Sequence, residues 1–214
     1  MKIGIIGAGH IGGTLTRRLA AAGHQVSVAN SRGPDTLASL AAESGARAGT
    51  ISDVVKDKDV VIIAVPLRNS PDLREPLVGA DKRTVVVETN NYYPQRDSQI
   101  EEIDAGKASS RWVTEQIGRP VVKAFNTIHA KHLLERGRPA GDPARMAVSI
   151  AGDDDSAKAV VFRLIEDLGF DGVDAGSLDE SWRQEPGTPV YGAALGADAT
   201  RRALGEAKQP AGRA

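Results

Sequence analysis

The sequence predicts a doubly wound α/β fold: a mostly parallel sheet with helices on both faces and a short C-terminal appendage. Three observations carry this. Short runs rich in Val and Ile alternate with stretches of helical character through residues 1–176. Those runs are apolar almost throughout rather than at every second position, which suits strands buried on both faces. A glycine-rich turn follows the first of them.

The strand-like runs are Lys2–Ile6, Gln25–Ala29, Val60–Val65, Thr84–Val87, Val121–Phe125 and Ala147–Ala151. Gly12–Ala22, Pro34–Glu43 and Ser109–Gln116 read as helices between them, so the repeated β-α units imply right-handed crossovers. In "GDDDSAKAVVFRLIEDLGF", Val160, Val161, Leu164 and Leu168 share one helical face. Asp153–Asp155 stand at the start of that helix, where carboxylates cap free amides and oppose the dipole, and Gly169 stops it. Three adjacent acids also suit a metal, but capping accounts for them better. After Gly176 the pattern weakens. Residues 177–204, including "SLDESWRQEPGTPVYG", read as a loop or short helix, and residues 205–214, "GEAKQPAGRA", as a small, polar, disordered tail.

Composition narrows the function. The 214 residues include 27 basic and 28 acidic side chains, a net charge of −1 that gives no case for nucleic-acid or anionic-membrane binding. The absence of cysteine excludes disulfides, thiolate catalysis and cysteine-ligated metals. The longest apolar run, Val60–Leu67, falls far short of the roughly 20 residues that span a bilayer. The N-terminal apolar stretch is short and broken by glycines, unlike a secretory signal, so a cytoplasmic protein is expected.

"IGIIGAGHIGGTLTRRL" sets Gly7, Gly9 and Gly12 in G-x-G-x-x-G spacing after a strand and at the opening of a helix. Gly7 permits the tight turn, Gly9 lets a pyrophosphate approach the backbone, and Gly12 packs helix against strand. The phosphates would meet free N–H groups at the helix start. This is the Rossmann-like dinucleotide signature, and it puts His10 and Ile11, at the variable positions, beside the cofactor. The second strand ends in "QVSVANSRGPD". Asn30, Ser31 and Arg32 stand where a carboxylate would hold a ribose 2′-hydroxyl and repel a 2′-phosphate. A hydroxyl and a guanidinium instead donate to phosphate oxygens, which favours NADP(H) over NAD(H).

Later strand ends supply the rest of the pocket, because ligands of such sheets sit beyond the carboxyl ends of the strands. "IIAVPLRNS" brings Ala64, Val65 and Pro66 toward the nicotinamide ribose, and "VVVETNNYYPQRD" brings Asn90 to the cofactor and Asn91 and Tyr92 to the substrate. Packing of the loop explains one of its two tyrosines equally well. "VVKAFNTIHAKHL" adds Asn126 and Thr127 on the substrate side. His24 reads as structural. His129, His132 and Glu135 recur every three residues, which on a helix spreads them over about 120°, so no metal site is expected. His129 is a candidate proton donor to a carbonyl, though no carboxylate partner is evident.

Taken together, "IGIIGAGHIG", "NSRG", "VVIIAVP", "VVKAFNTI", "AGDDDSAKAVV" and "DAGSLDESW" resemble the NADPH-dependent reductases of coenzyme F-420, the F-420:NADP oxidoreductases. They also resemble the cytoplasmic dinucleotide-binding domain of six-transmembrane metalloreductases. The resemblance runs from the first strand to about residue 192. It implies that Ser31 and Arg32 bind the 2′-phosphate and that "KAFNTI" lies near the nicotinamide and the deazaflavin. It further implies that residues 177–204 cover the acceptor. Hydride passes directly between the two rings in that family, without a protein nucleophile, which suits a sequence with no triad, carboxylate pair or metal cluster. Two departures fall on the acceptor side: Asn126 replaces a His of the archaeal reductases, and "RQEPGTPVYG" replaces a more apolar tail. By analogy, a homodimer that closes the site is expected.

Three functions follow in order. The first is an NADP(H)-dependent oxidoreductase whose acceptor is a deazaflavin, coenzyme F-420, or a flavin. The second is a reductase of a small carbonyl or imine, although relatives of that kind add a long helical domain that the roughly 60 residues after Ala151 do not supply. The third is a nonenzymatic NADP(H)-sensing module.

Overall fold

The computed structural model describes residues 1–209, and among these the chain forms eight strands and ten α-helices with 3-10 turns between them. The strands are β1 Lys2–Ile6, β2 Gln25–Ala29, β3 Arg47–Ala48, β4 Val60–Ile63, β5 Val85–Glu88, β6 Val122–Lys123, β7 Ala147–Ile150 and β8 Asp171–Asp174. The helices of the first half are α1 His10–Ala21, α2 Ala38–Ser44, α3 Ile51–Val55, α4 Arg74–Val78, α5 Pro94–Asp97 and α6 Glu101–Asp104. The second half adds α7 Ser109–Ile117, α8 Ala130–Glu135, α9 Asp155–Asp167 and α10 Ala197–Glu206. None is long and apolar enough to cross a membrane.

Six strands form one parallel sheet in the order β3-β2-β1-β4-β5-β6, a Rossmann-like arrangement that reverses direction between β1 and β4. Alternation along each strand divides the core into two layers. Ile3, Ile5, Val60 and Ile62 point to one face, where Leu15 and Leu19 of α1 and Val161, Leu164 and Ile165 of α9 cover them. Ile6, Val61 and Ile63 point to the other, against Val54, Leu77, Trp112 and Val113 of α3, α4 and α7. Both faces of β1 and β4 are covered by apolar side chains, which is why these strands lack the half-polar alternation of an exposed sheet.

Several boundaries differ from the sequence reading. β6 stops at Lys123 because Phe125, fully buried, adopts a left-handed φ of 62° and turns the chain. The run at residues 147–151 does not join the main sheet. β7 pairs in parallel with β8 instead, and this small sheet meets β6 through one antiparallel bridge, Lys123 with Ala151. The helix expected over Pro34–Glu43 begins as a 3-10 turn, Pro34–Leu37. In the acidic triplet Asp154 alone caps α9, accepting from Ser156 N (2.8 Å) and Ala157 N (3.2 Å). Asp153 pairs with Arg111 (2.8 Å) and Asp155 with Lys158 (3.0 Å). On α9, Ile165 belongs to the core and Val160 only borders it. Helix α10 reaches Glu206, two residues into the stretch expected to be a disordered tail, because Ala203 and Leu204 pack on Ala147 and Val173. Residues 210–214 of that stretch lie outside the described residues.

Candidate functional site

The glycine turn behaves as its spacing requires. Gly7 has a φ of 105°, and a Cβ on Gly12 would collide with the Gly7 carbonyl oxygen, so α1 packs against the turn at a distance only glycine allows. At Gly9, by contrast, a Cβ would meet nothing within 4 Å. Gly9 is also the N-cap of α1, with no side-chain cap and no acid in the first turn. The first amides of a 12-residue helix, those of His10, Ile11 and Gly12, therefore open without an internal acceptor. His10 itself is exposed, whereas the Ile11 side chain leans on the core, so what Ile11 offers a ligand is its amide.

A cleft of about 310 Å³ lies beyond the carboxyl ends of β1, β2 and β4. Gly7–Gly9, Asn30–Arg32 and Ala64–Pro66 all line it. Asn69, Asp72 and Leu73 also line it, and sequence reasoning missed them. They belong to 3-10 turns after β4 whose course no periodicity announces. Asn30 is the organiser of the β2 end. Its Oδ1 accepts from Arg32 N (2.9 Å) and its Nδ2 donates to Thr36 Oγ1 (2.9 Å), fixing the turn. The Ser31 hydroxyl and the Arg32 guanidinium are exposed and have no hydrogen bond or ion pair among the described residues. An unpartnered cation beside an open glycine cradle and free helix amides is the environment a phosphorylated dinucleotide requires.

The second group of expected site residues lies at the ends of β5 and β6, and the structure corrects several of them. Tyr92, expected against the substrate, is only 2 % exposed and packs in the core. Its hydroxyl accepts from Ile100 N (2.9 Å) and donates toward the Asp104 carboxylate (3.1 Å), holding the loop before α7. Asn126, expected at the mouth, is buried and engaged. Its Nδ2 donates to Asn91 Oδ1 (3.0 Å) and Gln184 O (2.6 Å), while its Oδ1 accepts from Gln184 Nε2 (3.2 Å). It clamps the C-terminal segment to the sheet instead of facing a ligand. Asn91, half-buried, donates to Asn126 O (2.9 Å) in the same clamp. Thr127 is buried, and its carbonyl accepts from Gly192 N (2.9 Å). Asn90 is not on the cleft wall. It is buried, with Nδ2 donating to Ser70 Oγ (3.2 Å) and Oδ1 lacking a hydrogen-bond partner among the described residues. His129, at the start of α8, is exposed and lies edge-on to His132 at 5.6 Å, with no ion pair among the described residues.

Beneath this group sits an ion pair that the sequence reading passed over. Lys123 Nζ lies 2.9 Å from Glu88 Oε1, and both side chains are wholly enclosed. Lys123 also donates to Asn90 O (3.0 Å) and Ser110 Oγ (2.8 Å), while Glu88 accepts from Ser110 Oγ and from Asn90 N (2.7 Å). The two are register partners across β5 and β6. Opposite charges inside two otherwise apolar strand runs were the available signal.

Residues 185–192 arch over the same strand ends. Glu185 Oε1 accepts from Ser109 N (2.8 Å) at the start of α7, and Gly192 N holds Thr127 O, so both ends of the arch are fixed. Between them Tyr191 brings its hydroxyl to that of Tyr93. Burial, together with this hydrogen bond, pushes the Tyr191 phenol up to about 12. Arg96 lies over the Tyr93 ring at 4.9 Å and pairs with the enclosed Asp97 (2.8 Å).

Comparison with known proteins agrees with this architecture. Residues 2–92 match the family model described as NADP oxidoreductase coenzyme F420-dependent. "Putative protein YjhV" of Escherichia coli (strain K12) is 39% identical over 111 residues, which cover 52% of this chain and 69% of that protein. The crystal structure of the hypothetical protein SMa0349 from Sinorhizobium meliloti superposes with a TM-score of 0.79 at 33% identity, over 91% of this chain and 95% of that one. A putative F420-dependent NADP-reductase from Arthrobacter sp. FB24 superposes with a TM-score of 0.66 at 25% identity, over 83% of this chain and 86% of that one. With its glycine turn, sheet order and β4 cleft in place, the chain belongs to the family of coenzyme F420-dependent NADP oxidoreductases.

Proposed function

We propose that this protein is an NADP(H)-dependent oxidoreductase that passes a hydride between NADPH and a deazaflavin, coenzyme F-420, or a flavin. The observation that carries the reading is Arg32: a guanidinium without an internal partner, on the wall of the glycine-turn cleft, where β2 ends without a carboxylate. NADPH, when bound, supplies a hydride from its nicotinamide, which the acceptor takes up with a proton from solvent.

The chain's own residues bind and orient. Arg32 and Ser31 donate to the 2′-phosphate, and the amides of His10, Ile11 and Gly12 face the pyrophosphate. The backbone at Ala64–Pro66 borders the nicotinamide ribose. Gln184, Glu185 and the arch that follows exclude water from the carboxyl ends of β5 and β6. Holding two rings face to face supplies most of the acceleration.

The test offers coenzyme F-420, FMN, FAD and a carbonyl panel to purified protein with NADPH and follows loss of the reduced nicotinamide absorbance. Oxidation that depends on F-420 or a flavin is expected. Turnover with a carbonyl alone overturns the acceptor class, and nucleotide binding without turnover on any acceptor overturns the enzymatic reading. In a Ser31→Asp, Arg32→Ala variant the preference for NADPH over NADH falls by about 10- to 100-fold, the worth of one charge-assisted hydrogen bond. An unchanged preference removes Arg32 from this role.

A further inference from the structure

We infer that Tyr93 and Tyr191 form the hydrogen-bonding subsite for the acceptor, a joint hydroxyl pair that donates to a carbonyl oxygen on the edge of a flat, uncharged ring. The inference rests on the reading above that an acceptor ring is bound beyond β5 and β6.

Hydrogen bookkeeping carries it. Two phenols bring two hydrogens, and their mutual bond uses one. The second hydrogen has no acceptor among the described residues. Tyr92, one residue away, shows what a packing tyrosine looks like in this loop. It is enclosed, and its hydroxyl is held by Ile100 N and Asp104. Tyr93 and Tyr191 are only half-buried and retain a donor.

Their placement agrees. Tyr93 follows the carboxyl end of β5, and Tyr191 arrives from the arch anchored at Ser109 and Thr127, beyond β6. Tyr93 and Tyr191 are 98 positions apart in the chain, and their hydroxyls touch, an arrangement that holds a donor at a fixed point. Arg96 covers one face of the Tyr93 ring, but its charge is answered by Asp97, so the pair does not present a net cation. The raised Tyr191 phenol stays protonated through neutral and mildly alkaline pH and donates throughout. A neutral O–H donor suits a carbonyl or imide oxygen better than a second cation, and the pyrimidinedione edge of a flavin or deazaflavin presents such oxygens.

The test titrates coenzyme F-420 and FMN into protein saturated with NADP+ and reads quenching of probe fluorescence. Wild type is compared with Tyr93→Phe, Tyr191→Phe and the double variant. Each single change is expected to weaken binding of the tighter probe about three- to tenfold, the worth of one neutral hydrogen bond. The double change is expected to be no worse than the weaker single, because the pair acts as one donor. NADP+ affinity stays within about twofold and reports that the variants are folded. Probe affinity equal to wild type in both single variants overturns this inference alone. Failure of the wild type to hold either probe overturns the acceptor assignment and this inference with it.

Discussion

Replacing Lys123 with Met removes a buried cation while keeping most of the stem that fills its place. Glu88 is then left wholly enclosed and without its counter-charge, 2.9 Å from where the ammonium stood. Breaking one side of such a pair costs about 3–5 kcal/mol. That is about a fifth or more of the total stability of a typical domain, which is about 5–15 kcal/mol. At about 2–4 °C per kcal/mol for a chain of this size, the melting temperature should fall by about 6–20 °C. A companion variant, Lys123→Met with Glu88→Gln, removes the stranded charge, keeps a carbonyl acceptor for Asn90 N and offers its NH2 to the Ser110 hydroxyl, which can turn to accept. It should recover most of the loss. Urea unfolding with a shared slope reads both differences. A Lys123→Met loss below about 1 kcal/mol, or a double variant no more stable than the single, would show that the pair is not the buried, mutually dependent unit described here.

Gly12→Ala places a Cβ against the Gly7 carbonyl oxygen, which is backbone and cannot swing aside. Helix α1 must lift from β1, so calorimetry should show an overpacking loss of about 1–3 kcal/mol together with weakened NADPH binding. Affinity equal to wild type would mean that the turn tolerates the shift. Burial alone would raise the Asp97 carboxyl, but hydrogen bonds from Arg96 and the Tyr93 amide hold it below its ordinary 3.8. Its contribution to stability is therefore complete above that pH and is lost as pH falls through the lower, folded value. Asp97→Asn should flatten that part of the acid-unfolding curve. An acid limb unchanged in slope would contradict the assignment.

The N-terminal half of the site was readable because its information is local. Gly7, Gly9 and Gly12 fall within one turn of chain, and Asn30, Ser31 and Arg32 within another, so spacing alone carried the cleft. The acceptor side was not readable in the same way. Asn126 and Gln184 are 58 residues apart, and only their side-chain hydrogen bonds bring them together. Tyr92 and Tyr93 are indistinguishable by composition, and their opposite fates depend on which side of the loop meets α6 and which meets the arch. β3 has two residues and β8 reads "DGVD", with Val173 the one large apolar side chain. Neither carries enough hydrophobic pattern to announce a strand, and each is extended because a neighbour supplies the ladder.

The position of Glu88 bears on how the polypeptide can be divided. Residues 2–92, the stretch matched by the family model, end just after β5. Cut there, the fragment would carry an interior carboxylate whose counter-ion is encoded 35 residues downstream, and β5 would become a bare margin missing its partner β6. Such a fragment should therefore be less stable than the same stretch with β6 docked against it. Its last strand is electrostatically complete only once β6 has docked beside it.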